Sequence, residues 1–198
     1  MDQHEELAYI QKVRAGDHAA YAVLVDRYKG MAYAIALRVL GHAEDAQDVA
    51  QEGFIKAYQQ LHQFEGKARF STWLYTIVYR TALAKAKETK VSMFSITDKF
   101  RETFTHERSA PQLALLQSLD EQRSVQAAID RLPQSEALVV MLYYIEEHSV
   151  AEIGQITGLS GANIKIKLFR ARKKLERDLR FLLDDKNTED KTYGKQAR

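Results

Sequence analysis

Hydrophobic positions recur at helical rather than strand spacing along most of this chain. Leu7, Ile10 and Val13 predict a first helix over about 7–15, which Gly16-Asp17 stops before capping the next. Tyr21, Leu24, Val25 and Tyr28 share the apolar side of a helix over about 19–27. Residues 30–40 follow as an almost wholly apolar run, a buried core helix that is too short for a bilayer, which needs ~20 such residues. After Gly41, the residues Ala46, Ala50, Gly53, Phe54, Ala57 and Leu61 line one face of another helix. Ser71 or Thr72 is placed to cap a helix whose apolar residues include Trp73, Leu74, Ile77, Val78 and Leu83. Periodicity fades over 91–117, which reads as a linker ordered by a partner. It resumes at Ser118 with Leu119, Val125, Ala128, Ile129 and Leu132, and Pro133 opens a further helix carrying Leu138, Val139, Met141, Leu142 and Ile145.

The most telling pattern is the last. Val150, Ile153, Ile156 and Thr157 end at Gly158, a residue able to take the left-handed conformation that closes a helix. Leu159 plugs the angle and Ser160 caps a second helix, whose Ile164, Leu168, Ala171 and Leu175 share one buried stripe. This is a helix-turn-helix pattern. The fold class is therefore all-α: two small helical domains joined by a linker, the second a helix-turn-helix. Their expected bounds are 5–90 and 118–183, with 91–117 between them and a charged, aperiodic, disordered tail over 184–198.

Charge sharpens the picture. Net charge is only +2, but its signs are segregated. Residues 161–180 carry eight basic side chains against Glu176 and Asp178. On a helical wheel Ala162, Ile166, Phe169, Arg170 and Lys173 lie opposite the buried stripe, where they would face a major groove, with Lys165, Arg172 and Lys174 flanking near phosphates. Two large apolar residues on that outer face, Ile166 and Phe169, speak against simple solvation and suit thymine methyls or a protein partner. Residues 1–60 are the reverse, with six basic and nine acidic side chains. Asp45, Asp48 and Glu52 fall on one helical stripe, which fits a solvated face, a docking surface for a basic partner or, with no histidine in register, less readily a metal site. Residues 65–90 return to six basic and two acidic. A loop from Phe64 to Phe70 followed by Trp73 and a basic helix suits single-stranded nucleic acid, though the same aromatics are equally core formers.

Composition excludes several classes. With no cysteine there is no disulfide framework, thiolate chemistry or cysteine zinc site. The six histidines lack ligand spacing and no nucleophile–base motif is present, so neither an enzyme nor a cofactor is expected. The N-terminus lacks the features of a signal peptide, and a cytoplasmic location without membrane insertion is expected.

The parts in order, 45–58 (DAQDVAQEGFIKAY), 64–77 (FEGKARFSTWLYTI), 131–133 (RLP) and 152–175, resemble a bacterial RNA polymerase sigma factor of the extracytoplasmic-function (ECF) subfamily. The resemblance covers nearly all of residues 5–180. It implies a first domain that binds core polymerase and recognises and melts the −10 element. The second domain would read the −35 element as duplex. Asp45, Asp48, Gln51 and Glu52 would meet the β′ clamp helices, and the linker would thread toward the active-site channel of the core enzyme, formed by β′ and β. Phe64, Lys67, Arg69, Phe70, Ser71, Trp73, Arg80, Lys85 and Lys87 would handle the melted −10 strand. Ser160, Ala162, Asn163, Lys165, Ile166, Phe169, Arg170, Arg172 and Lys173 would contact −35 DNA. The family also implies an anti-sigma factor and an envelope or environmental stress response. The chain departs from its pattern in places: Arg80 and Ala84 stand where Asn and Asp are usual, Ala137 where Arg is frequent, and Glu146-Glu147-His148 where a Gly usually precedes the helix-turn-helix. A second reading of the same residues is a stand-alone helix-turn-helix regulator, which would have no use for the Asp45–Glu52 stripe.

Overall fold

The computed structural model describes residues 3–93 and 113–180, with side chains from 4 to 88 and from 122 to 180. Eight α-helices and no strand make up the described residues. The first four are α1 (Gln3–Arg14), α2 (His18–Leu40), α3 (Ala43–Gln59) and α4 (Phe70–Met93). After them come α5 (Leu113–Asp130), α6 (Gln134–Val140), α7 (Val150–Thr157) and α8 (Gly161–Asp178). A 3-10 turn at Leu61–Gln63 precedes the loop into α4, and a π-helical turn at Met141–Ile145 extends α6.

Most boundaries follow local chemistry. Gly16 has φ 98°, and the Asp17 side chain accepts from Ala20 N to start α2. Gly41 closes α2 with φ 73°, its N–H donating to Leu37 O at 2.8 Å. Three boundaries differ from the sequence reading. The two helices expected over 19–27 and 30–40 are one, running through Gly30. An interior glycine costs only about 1 kcal/mol relative to alanine, too little to break a helix whose Leu24, Tyr28, Ala32, Ile35 and Ala36 are all buried. At the start of α4, Ser71 and Thr72 lie inside the helix. Phe70 N instead donates to the Glu6 carboxylate at 3.4 Å, so a carboxylate from α1 serves the orphan amide. Finally, α5 begins at Leu113, five residues before Ser118. The centre of the expected linker, 94–112, and the expected tail, 184–198, lie outside the described residues.

Helices α2, α3 and α4 pack on one another, with α1 against α2. Gly53 marks where α3 and α4 approach most closely: a Cβ there would sit 2.7 Å from Val78 Cγ2, inside contact distance of a stiff β-branched side chain. In the second group α8 packs on α6 and α7, and α5 on α6 and α8. The two groups also meet, α4 against α7 and α2 against α6, so that their buried apolar residues form one continuous core.

Candidate functional site

The helix-turn-helix is built by its caps. Ser149 accepts from Glu152 N while the Glu152 carboxylate accepts from Ser149 N at 2.8 Å, a reciprocal capping box for α7. Gly158, at φ 74°, donates to Gly154 O, and Ser160 accepts from Asn163 N at 3.3 Å to open α8. Ile164, Leu168 and Ala171 are buried and Leu175 packs against the core. All nine residues expected to contact −35 DNA, from Ser160 to Lys173, are exposed. Ile166 is 50% and Phe169 57% exposed, so the outer face keeps its two apolar side chains in solvent. Lys173 stands over the Phe169 ring at 5.0 Å and Arg172 over the Tyr144 ring at 5.8 Å. Two other cations of α8 turn inward: Lys174 pairs with Glu136 at 2.8 Å, and Lys167 donates to Ser135 Oγ at 2.8 Å. Lys174 is thereby engaged within its own module rather than held out beside Lys165 and Arg172.

On α3 the buried face is as the periodicity implied, with Ala46, Ala50, Gly53, Phe54 and Ala57 inside. Asp48, Gln51 and Glu52 are exposed and Asp45 partly so. Glu52 reaches Lys56 at 2.7 Å and Asp45 lies 3.6 Å from His42, while Asp48 has no ion pair among those described. The carboxylates do not converge: no group of three potential ligands among the described residues is placed to hold a metal ion.

The loop ahead of α4 is braced from α1. The Arg14 guanidinium donates to Leu61 O at 2.8 Å and to Phe64 O, and the buried Glu6 accepts from the Tyr28 hydroxyl as well as from Phe70 N. Burial first, and then the hydrogen bond to Glu6, pushes the Tyr28 phenol well above its ordinary value. Glu6 and Arg14 are functional supports that the sequence reading passed over. Glu6 was visible as the position four before Ile10 and seven before Val13, on the buried stripe of α1.

The residues expected to handle melted DNA divide by exposure. Lys67, Arg69, Arg80 and Lys87 are exposed, Lys85 and Trp73 partly so. Phe64, Phe70 and Ser71 are buried. Phe70 is at the centre of an aromatic cluster, 5.6 Å from Phe64, 5.7 Å from Trp73 and 5.7 Å from Tyr28 between centroids. In this conformation those rings hold the module together.

Immediately beyond them, the first turns of α4 are covered by the second module. The Thr72 hydroxyl donates to Glu152 Oε1 at 3.2 Å and lies 3.4 Å from His148 Nδ1. The Tyr75 hydroxyl donates to Glu146 at 2.8 Å, and the Arg69 guanidinium to Glu147 O at 3.2 Å. Burial, reinforced by the Glu146 charge, raises the Tyr75 phenol far above its usual range. His148 is 1% exposed and packs edge-on to Tyr75. Its pKa is lowered by burial, against the opposing pull of Glu152. Burial works to raise the Glu152 carboxyl, but the hydrogen bonds from Ser149 prevail and hold it below the ordinary value.

Comparison with known proteins agrees with this two-module geometry. Residues 24–90 match the family model for sigma-70 region 2, and residues 122–175 that for sigma-70 region 4. The chain is 32% identical to the ECF RNA polymerase sigma factor SigW of Bacillus subtilis, over 87% of this chain and 96% of the relative. It is 30% identical to the ECF RNA polymerase sigma-E factor of Haemophilus influenzae, over 92% of this chain and 99% of that one. Among solved structures, the fold is similar to the sigma factor RpoE from Bartonella quintana in complex with the anti-sigma factor NepR. The TM-score there is 0.63, at 19% identity, covering 81% of this chain and 96% of that one. It is also similar to CnrH in complex with the cytosolic domain of CnrY, with a TM-score of 0.53 at 25% identity, covering 90% and 96%. No helix among the described residues is long and apolar enough to cross a membrane. A region 2 module and a region 4 module in this order, with relatives matched over almost their full length, place the chain in the ECF family of RNA polymerase sigma factors.

Proposed function

We propose that this sigma factor divides promoter recognition among three surfaces. Asp45, Asp48, Gln51 and Glu52 on α3 dock the basic β′ clamp helices of core polymerase. The loop from Phe64 through Ser71, with Trp73, receives the melted −10 strand. Arg80, Lys85 and Lys87 along α4 hold its phosphates. The outer face of α8 reads the −35 duplex. Domain bounds of 5–90 and 118–183 go with this division. The observation that carries it is the pairing of an exposed carboxylate stripe on α3 with an exposed cationic and apolar face on α8: each has the sign its partner requires. The protein supplies binding and positioning, has no catalytic chemistry of its own and works in the cytoplasm.

Because Lys165, Arg170, Arg172 and Lys173 are exposed and would displace counterions from DNA, affinity for −35 duplex should fall steeply with salt. Removing Lys165 and Arg172 together should lower the slope of log K against log salt by about 2, at roughly 0.9 per phosphate contact. A fluorescence-anisotropy titration at several salt concentrations reads this directly, and an unchanged slope would remove both residues from the phosphate contacts.

An inhibitory partner belongs to the same reading. The structural relative RpoE was solved with an anti-sigma factor, and Ile166 and Phe169 offer such a partner apolar contact on the DNA-reading face. Affinity purification from non-inducing cells should then recover a protein that competes with −35 DNA for α8. Recovery of polymerase subunits alone would count against it.

A further inference from the structure

The contact between the two modules has a feature that neither polymerase docking nor base reading requires. His148 sits at its centre, buried, between α4 on one side and α7 on the other. Thr72 donates its only hydroxyl proton to Glu152, so it faces His148 Nδ1 with a lone pair. That arrangement selects the tautomer in which Nδ1 carries the proton and donates to Thr72. The other ring nitrogen, Nε2, is buried with no hydrogen-bond partner among the described residues. A bare lone pair can be tolerated there, whereas an N–H enclosed without an acceptor leaves a charged donor unsatisfied, a much larger cost.

We propose that the seam between α4 and α7 is a proton-operated latch, closed when His148 is neutral and released when Nε2 is protonated. Its supporting contacts all join the two modules: Tyr75 to Glu146, Arg69 to Glu147 O, and Arg38 of α2 to Asp130 of α5. The charged and titratable groups that face His148 are few. Glu152 on α7 and Glu146 in the turn before it favour the imidazolium. Arg69 from the α4 side opposes it, and the Tyr75 phenol packed against the ring stays neutral. Glu152 cannot fully answer the new charge, because its carboxylate lies on the Nδ1 side, 3.8 Å from that atom, and already accepts from Ser149 N, Ser149 Oγ and Thr72.

The sign follows from the lowered pKa of the closed form. An opened His148 regains an ordinary value near 6.5, while the closed one binds its proton only at lower pH. The latch is at full strength above 6.5 and weakens as pH falls from there through the lowered value. Across that window the closed-to-open ratio drops by a factor approaching about ten per pH unit. Opening would uncover Thr72, now 1% exposed, at the start of the helix assigned to the −10 strand. That last link rests on the −10 assignment, whereas the latch does not.

The chain has no cysteine, so Gln59→Cys on α3 and Gln155→Cys on α7, both at exposed positions, give unique sites for a donor–acceptor dye pair. Energy transfer in the full chain should fall reversibly as pH is lowered from 7.5 to 5.5, with helical circular dichroism unchanged. His148→Gln should abolish that pH response. Thr72→Val, which leaves the imidazole in place, should start more open at pH 7.5 and still titrate, and it serves as the deciding variant if His148→Gln loses helicity. Constant transfer in the wild type would overturn the latch. So would a His148→Gln variant that titrates like the wild type, or a Thr72→Val variant as closed as the wild type.

Discussion

Reversing two charges on α3, Asp48→Lys with Glu52→Lys, is expected to abolish initiation by core polymerase while leaving −35 duplex binding intact. Both side chains are exposed, so neither substitution disturbs the core formed by Ala46, Val49, Ala50 and Phe54. Lysine is also a good helix former, and the like-charge pair that Glu52→Lys makes with Lys56 costs only a few tenths of a kcal/mol (about 0.2–0.5). The effect should therefore fall on the partner. Setting two ammonium groups against a basic surface that two carboxylates had matched costs about 2 kcal/mol or more, roughly a thirtyfold loss of affinity. Binding of the variant to core enzyme, measured alongside its binding to duplex DNA, separates a docking role for the stripe from any effect on the second domain. Wild-type core binding by the variant would show that the stripe is only a solvated face.

Phe70→Ala should cost about 3–5 kcal/mol of folding stability, the usual range for deleting a fully buried phenylalanine. Phe70 is 0% exposed and is enclosed by Phe64, Trp73 and Tyr28. Urea denaturation followed by circular dichroism measures this. The result also decides between two uses of the ring that the sequence leaves open, a core former or a surface for an unstacked base. A variant as stable as the wild type but unable to open promoters would assign Phe70 to the base. A destabilised variant leaves base capture to Trp73 and to the exposed Lys67 and Arg69.

What could be read from the sequence was local. The helix-turn-helix was legible down to its caps because Gly158, Ser160 and the stripe from Ile164 to Leu175 act within a few residues of one another. The acidic and cationic faces were legible because helical periodicity alone sorts inner from outer positions, and exposure of Ile166, Phe169 and Asp48 followed from it. Where a distant residue substitutes for a local one, that logic fails. Ser71 and Thr72 looked like caps for α4, but Glu6, 64 positions earlier than Phe70, takes that role and frees Thr72 to face the second module. The seam itself joins residues 71 to 80 positions apart, Tyr75 to Glu146 and Thr72 to Glu152, and no pattern within either helix announces it. The break expected between 27 and 30 fails for the opposite reason: the local penalty of Gly30 is outweighed by burial along the whole of α2.

The most direct test of the central claim is run-off transcription with core polymerase and this protein on a genomic fragment library, repeated with Phe169→Ala and Arg170→Ala together. Start sites that depend on the protein should share a −35 element at fixed spacing, and the α8 double variant should weaken them selectively at those with the best match. Start sites that core enzyme uses equally without the protein, or that are indifferent to the change in α8, would contradict the account.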